Sequence, residues 1–409
     1  MQPLAGIRVL DLTRVVSGPF ATMQLGDLGA RVIKVEEPEN GDDSRAFGPP
    51  FLGTESVYFL SINRNKRSVA IDLKTAEGRD LLLELVAKCD VLVENFRPGT
   101  MERLGLGDAL LVERNPGLIR CSITGFGSTG PDAQRPGYDL IVQGESGIMD
   151  ATGQPDGAPT KVGVSIADLV AGLYAAQGIL AAVIERRQNG NVSGSRVEVA
   201  MLDALASLLT FNAGIYFATG RSPQRHGNAH PTIAPYETFR TADGWLNLGV
   251  ASDKFWRQFC AAVGAHDLLG DPRFDRAPDR VTHRADLVPK VAAILEKKPR
   301  SHWIELLGKV GVPCGEIRTV GEVCEAEQLV SRGMIVSSPH SSAGVVRSIA
   351  GPVLFQGSER VSSRAPPTLG QHTREILSDL LGMPDESIDD LAARRVIRLG
   401  HQEESRGQA

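Results

Sequence analysis

Residues 7–36 read IRVLDLTRVVSGPFATMQLGDLGARVIKVE. "IRVLDL" (7–12) is a short apolar run of strand type. "GPFATMQLGDLGA" (18–30) follows with helical character, and its Pro19 suits a first helical position. "RVIKVEEP" (31–38) is a second strand. The pattern continues through "RSVAIDLK" (67–74), a helix over about 76–88, "DVLVENF" (90–96) and "LIRCSITGFG" (118–127). Parallel strands require crossovers, so repeated β-α-β predicts an α/β fold with a parallel sheet covered on both faces.

Further along, 165–186 and 197–219 read as helical, with the polar turn "RRQNGNVSGSR" (186–196) between them. The basic, turn-rich "RSPQRHGNAHP" (221–231) leads to a hairpin expected over 236–250 around Asp243-Gly244. Helices are predicted over 253–263, 284–297 and 301–313, and another near 366–383 in a tail that packs back on the first domain. The expected organisation is a large domain over 1–190, a helical linker over 191–235, a small inserted α+β domain over 236–325, and a return to the large domain over 326–409.

Composition narrows the function classes. The 409 residues carry 44 basic and 49 acidic side chains with no Lys/Arg block, which gives nucleic-acid binding no support. The five cysteines have no C-x-x-C spacing and read as structural thiols of a reducing compartment. No charged n-region precedes an apolar h-region near residue 1. The apolar run 166–184 contains Asp168, Gly172 and Gly178 and suits a buried helix better than a membrane span. The expectation is a soluble, cytoplasmic protein without membrane partners.

Several sites fail on spacing. The turn "TRVVSGPF" after the first strand lacks the G-x-G-x-x-G of a dinucleotide site. His226 and His230 have i, i+4 spacing, but "GNA" and Pro231 oppose a helix there, and no H-E-x-x-H or cysteine cluster exists. No metal site is expected. "GESGIM" (144–149) lacks the spacing of a hydrolase elbow.

Asp168 is the one charged residue of the run from Ile166 to Ile184. Ser165 to Asp168 fits S-x-x-D, a capping box that opens a helix. The same carboxylate, stripped of water by apolar neighbours, has the chemistry of a nucleophile toward an activated acyl carbon. The pattern alone leaves both readings open. A basic cluster, Arg97 and Arg103 in "RPGTMERLGLG" with "NRNKRS" (63–68) and Lys74, is either a phosphate site or a solvated face.

"PLAGIRVLDLTRVVSGPFATMQLGDLGARVIKVE", "NRNKRSVAIDLK", "VENFRPGTMERLG", "ITGFGSTGPDAQRPGYD", the Asp168 segment and "PPTLGQHTREIL" together resemble the class III CoA-transferases. The likeness runs in order from about residue 3 to 383. "RHGNAHPTIAPYETFRTADG" is most similar to the succinyl-CoA:glutarate branch. The resemblance implies a Rossmann-like large domain, an inserted small domain, and a homodimer whose two chains interlock. It implies Asp168 as the catalytic aspartate and Tyr138 with Asp139 as an active-site pair. For CoA it implies Val16 and Ser17, the run Ile71, Asp72, Leu73 and Lys74, the run Asn95, Phe96 and Arg97, and Arg103. Glu37 stands where formyl-CoA transferase has a basic residue, and that enzyme's Gly-rich loop has no counterpart, which points away from oxalate and formate. The sister α-methylacyl-CoA racemases have His-Asp where this chain has Tyr138-Asp139; a racemase, or a non-catalytic acyl-CoA binder, is the alternative.

The implied reaction moves CoA from an acyl-CoA to a free carboxylic acid, with the thioester as substrate and no separate cofactor. "TGFGSTG" (124–130) and "ATGQPDG" (151–157) are candidate sources of backbone N–H groups for the oxyanions. A short dicarboxylate acceptor needs a cation for its far end, for which Arg45, Arg135, Arg225, His226 and His230 are the candidates.

Overall fold

A computed structural model describes residues 1–190, 193–357 and 364–400. Two residues of the expected turn 186–196, six of the tail and the last nine positions of the expected 326–409 segment lie outside the described residues. The chain divides into two compact units. One comprises Met1–Ile148, Lys161–Phe211 and Gln328 onward; the other comprises Met149–Thr160 and Asn212–Glu327.

In the first unit, parallel strands β1 (Arg8–Asp11), β2 (Arg31–Glu36), β3 (Lys66–Ile71), β4 (Val91–Glu94), β5 (Ile119–Thr124) and β6 (Arg196–Ala200) lie in the order β3-β2-β1-β4-β5-β6. Strand Ile397–Arg398 adds antiparallel to β3. Helices α1 (Ser17–Asp27), α2 (Ala76–Val86), α3 (Asp139–Glu145), α4 (Ile166–Gln188) and α5 (Met201–Ala206) accompany it. Two apolar clusters form around the sheet, one containing Val9, Val91, Ile119 and the alanines of α4, the other Leu10, Ile33, Ile71 and Leu92.

One expectation is corrected here. The span 197–219, part of the expected helical linker 191–235, opens with a strand, because Val197, Glu198 and Val199 alternate with period two and pair with β5. Only Met201–Ala206 and Thr210–Thr219 are α-helical within it.

The turn from β1 into α1 is made without glycine spacing. Val15 adopts φ +66°, a region that costs a β-branched residue free energy unless its surroundings enforce it. A buried polar network does so. The Asp11 carboxylate accepts from the Thr13 amide at 2.9 Å, from Thr22 Oγ1 at 2.6 Å and from Lys66 Nζ at 2.9 Å. Lys66 also donates to the Pro19 carbonyl, and Lys34 donates to the Thr13 carbonyl at 2.7 Å while pairing with Asp42 at 2.8 Å. Asp42 in turn accepts the Val15 amide at 3.1 Å. The four charged side chains are almost wholly buried.

Against this turn sits α4. A Cβ added at Gly172 would stand 2.6 Å from the Ser17 carbonyl oxygen, so only glycine lets the two helices approach this closely. Among the described residues, Ile166–Gln188 and Met201–Thr219 are long and apolar enough by composition to cross a membrane. The alanine-rich face of the first packs into the core instead.

The second unit is built by a three-stranded antiparallel sheet, β7 (Tyr236–Arg240), β8 (Trp245–Gly249) and β9 (Cys314–Glu316), in the order β9-β8-β7. Helices Asp253–Val263, Arg284–Leu295 and Arg300–Lys309 contribute Trp256, Phe259, Leu287, Leu295, Trp303 and Leu307 to its core. The fully buried Arg280 binds Asp253 and the carbonyls of Ala234, Phe274 and Asp275.

Lys34→Met should destabilise the protein by about 3–5 kcal/mol, because it leaves a buried carboxylate unpaired. Burial pushes the Asp42 carboxyl up, but Lys34 and the backbone N–H groups outweigh it and hold it at about 2. That contribution is complete above the ordinary carboxylate range and is lost as pH falls toward 2. Denaturant titration at pH 7 and pH 4 should therefore find the larger deficit at pH 7.

Candidate active site

The strand order reverses between β1 and β4, and open α/β sheets bind ligands in the crevice outside the carboxyl ends of the strands at such a switch. A cleft of about 290 Å³ lies there, lined by Arg14 to Ser17 after β1, Asn95 to Pro98 after β4, Thr124 and Gly125 at the end of β5, and Arg135, Tyr138 and Asp168.

Each wall has a local cause. The Asn95 side chain accepts the Arg14 amide and donates to the Arg14 carbonyl, both at 2.8 Å, and its amide also reaches Ser17 Oγ at 3.3 Å. Asn95 is thus a brace for the turn. Gly125 and Gly137 cross so closely that a Cβ on Gly125 would lie 2.6 Å from the Gly137 Cα. Their contact brings Tyr138 and Asp139 back to the end of β5.

Asp168 sits in the first turn of α4, whose N-cap residue is Ser165. The expected Ser165–Asp168 capping box does not form, since the Ser165 side chain caps nothing. Its hydroxyl acts on the Tyr58 phenol instead, lowering it against the larger raising effects of burial and of the Asp168 charge. The helix is capped from elsewhere: Asp139 Oδ1 accepts the Ala167 amide at 2.9 Å, and Asp139 Oδ2 accepts Gln143 Nε2 at 2.7 Å. Asp168 is thereby released from capping and faces the cleft. Burial, and next the charge of Asp139, push its carboxyl up to about 7, while the Ser17 hydroxyl pulls the other way.

The cleft brings together Val16, Ser17, Asn95, Phe96, Arg97, Arg135, Tyr138 and Asp168. Val16 and Ser17 are buried, so a ligand meets them mainly along the backbone. Tyr138 is exposed, and Arg135, stacked on Phe126, also pairs with Glu145 and Asp132.

Other expected residues lie elsewhere. Arg45 is a correction: its guanidinium makes a two-point bond to buried Glu36 at 2.7 and 2.8 Å and lies over the Phe59 ring, which makes it structural. His230, with Arg225 and His226, belongs to the second unit. There the His230 ring accepts the Thr232 amide, and Arg225 binds Asp150 and the carbonyls of Gln154 and Gly157. Ile71 is core. Asp72 caps its own turn through the Lys74 amide, leaving Leu73 partly buried against that core. Lys74 does not line the cleft; against the raising effect of burial, the Glu37 carboxyl is lowered by backbone N–H groups and by the charges of Lys74 and Arg14. Arg103 bonds Thr100. Of the expected oxyanion donors, the Gly127 and Ser128 amides are already engaged by Thr124 and Glu198.

Two residues beside Asp168 escape the sequence reading. Tyr58 feels the Asp168 charge, which after burial raises its phenol. Gln143 is fully buried and holds Asp139. The alternation of α3 marks Gln143 as inward-facing, which for a glutamine is the informative signal.

The chain belongs to CoA-transferase family III, whose model matches residues 4–373. It is 39% identical over 398 residues to the human succinyl-CoA:glutarate CoA-transferase, covering 97% of this chain and 90% of that protein. It is 42% identical over 337 residues to the acetyl-CoA:oxalate CoA-transferase of Acetobacter aceti, covering 82% and 86%. A CAIB/BAIF family crystal structure from Brucella suis superposes with a TM-score of 0.83 at 40% identity, covering 92% of this chain and 99% of that one.

An acid raised to about 7 in the folded state destabilises the fold progressively as pH rises from the ordinary carboxylate range through 7. Asp168→Asn should therefore be more stable than the wild type at pH 8, by on the order of 2 kcal/mol, with the gain shrinking toward zero near pH 4. Thermal or urea unfolding at the two pH values checks this.

Proposed function

We propose that this class III CoA-transferase moves CoA from succinyl-CoA to a short dicarboxylic acid such as glutarate, with Asp168 as nucleophile. The carrying observation is a largely buried carboxylate at the start of α4, freed from capping and opening into the switch-point cleft. The succinyl donor and the glutarate acceptor are supported by likeness to the relatives above; the oxalate-named relative keeps that acid among the acceptors to be tried.

In the proposed scheme the Asp168 carboxylate attacks the donor thioester carbonyl, and CoA leaves as thiolate, giving an aspartyl-acyl anhydride. The thiolate attacks the aspartyl carbonyl of the anhydride and releases the donor acid, leaving an aspartyl-CoA thioester. The acceptor carboxylate attacks that thioester carbonyl, forming a second anhydride and freeing the thiolate again. The thiolate then attacks the acceptor acyl carbon, giving the new acyl-CoA and restoring Asp168. Bonds of similar energy are exchanged, so positioning and exclusion of water are the main tasks. The cleft takes the acyl and thioester end. The far carboxylate of the acceptor meets Arg135, the one of the five acceptor-cation candidates that lines the cleft, with Arg14 and Arg97 also on its wall. Arg103 and Lys74 are available for the CoA phosphates outside it.

The reading includes an inserted second unit and a cytoplasmic homodimer of interlocked chains. Exposed Leu140, Ile141, Leu173 and Tyr174 of the first unit support the dimer as apolar surface that a second copy would cover.

With succinyl-CoA and a panel of glutarate, itaconate, malate and oxalate, the protein should form new acyl-CoA, detected by chromatography. Asp168→Ala should abolish exchange, and hydroxylamine should trap the wild-type aspartyl thioester. The rate should rise with pH through about 7 as Asp168 ionises. Exchange surviving in the alanine variant sinks the mechanism, and α-proton exchange without any acceptor acid would indicate a racemase.

A further inference from the structure

Gln143 has no exposure to solvent, yet its amide is fully used. Its Nε2 donates to Asp139 Oδ2 at 2.7 Å and reaches the Val164 carbonyl at 3.5 Å, and its Oε1 accepts the Val162 amide at 2.8 Å. One side chain therefore ties three things together: the carboxylate that caps α4, the segment 162–164 that leads into α4, and α3 on which it stands. The orientation is unambiguous. The Val162 amide demands the amide oxygen on one side, which turns both Nε2 hydrogens toward the acceptors on the other.

We infer that Gln143 is a positioning residue for CoA transfer: by holding Asp139 against the Ala167 amide and anchoring residues 162–164, it sets where and in what charge environment the Asp168 carboxylate stands. The inference rests on the reading of Asp168 as nucleophile. Its logic is one of occupancy. Asp139 Oδ1 is used by the Ala167 amide and Oδ2 by Gln143, so Asp139 is held in one orientation beside Asp168. Without the Gln143 donor, Asp139 binds one N–H fewer and is free to rotate away from the helix end. Asp168 then loses both a fixed neighbouring charge and the cap that fixes its own first turn.

Among the described residues, the groups that act on or line the cleft with Asp168 are Asp139 on α3, Ser17 on α1 and Tyr58, with Arg14, Asp43, Arg97, Arg135 and Tyr138 on the cleft wall. Of these, Asp139 is the one that Gln143 touches.

The test uses the full chain with succinyl-CoA and the best acceptor of the panel. Gln143→Leu, of similar volume, should lower kcat by about 10–100-fold with KM for the acyl-CoA within about threefold of the wild type, since a small misplacement of a reacting group costs rate more than binding. The acid limb of its pH–rate profile should move to lower pH by half a unit or more, because the neighbouring negative charge is no longer fixed. A general loss of packing would not move that limb. Gln143→Glu provides the second reading if the leucine variant does not fold. Its carboxyl donates to Asp139 only when protonated, so its deficit should deepen between pH 6 and pH 8. A folded Gln143→Leu with wild-type kcat and an unmoved limb overturns the inference, as does a Gln143→Glu whose deficit is independent of pH. Asp168→Ala is run alongside. If it retains exchange, the nucleophile reading fails; if it is inactive while the Gln143 variants behave as wild type, only the positioning role fails.

Discussion

Two ammonium groups, Lys34 and Lys66, lie with no solvent exposure beneath the turn that joins β1 to α1, and the geometry of the site follows from them. Burial disfavours both charges; the carboxylates led by Asp42 outweigh that cost at Lys34, whereas at Lys66 Asp11 offsets it only in part and burial lowers the ammonium to about 8. Their further hydrogens go to the carbonyls of Thr13 and Pro19 and to Asn63 Oδ1, so the backbone on either side of the turn is held by charge, with Gly18 leaving room for the Thr13 side chain. Dinucleotide folds solve the same problem with a Gly-rich loop that lets a pyrophosphate approach. Here Val15 is forced to a positive φ by groups below it, and the peptide above is presented to the cleft in one conformation. Asn95 secures that turn from the β4 side.

The surroundings of Asp168, the proposed nucleophile, join opposing demands. A carboxylate must be desolvated to attack well, yet desolvation favours its protonated form. The close packing at Gly172 and the fixed charge of Asp139 both press Asp168 toward protonation, whereas the Ser17 hydroxyl favours the anion. The result is an acid poised near neutrality, the range in which a group serves as either partner in acyl exchange.

The parallel sheet and its crossovers were legible in the sequence because apolar runs of period two alternate with helical ones from Ile7 to Thr124, and the resemblance to the family carried the rest of the chain. The strand Arg196–Ala200 was not, because it follows a long helix and leads directly into Met201–Ala206, so its short alternation is overwhelmed by helical neighbours. Asp168 was legible as an isolated acid in an apolar run, but its release from capping was not. S-x-x-D describes a local bond, and the bond that forms reaches from Asp139, far back in the chain. Arg45 misled for a similar reason: a lone arginine in a loop gives no sign that Glu36 will meet it with two bonds. Long-range pairing of side chains is the information that local pattern lacks.

The borrowed cap on α4 bears on when during folding the protein becomes reactive. A helix that closed its own first turn would present Asp168 as soon as the segment 165–188 coiled. Here the Ala167 amide waits for Asp139, which arrives only after Gly125 and Gly137 have crossed and α3 has docked. Contacts between distant segments form late because chain closure must precede them. A nascent or partly unfolded chain therefore carries an ordinary hydrated aspartate, inert toward the thioesters around it. On the proposed role of Asp168, acylation competence is a property of the completed tertiary structure.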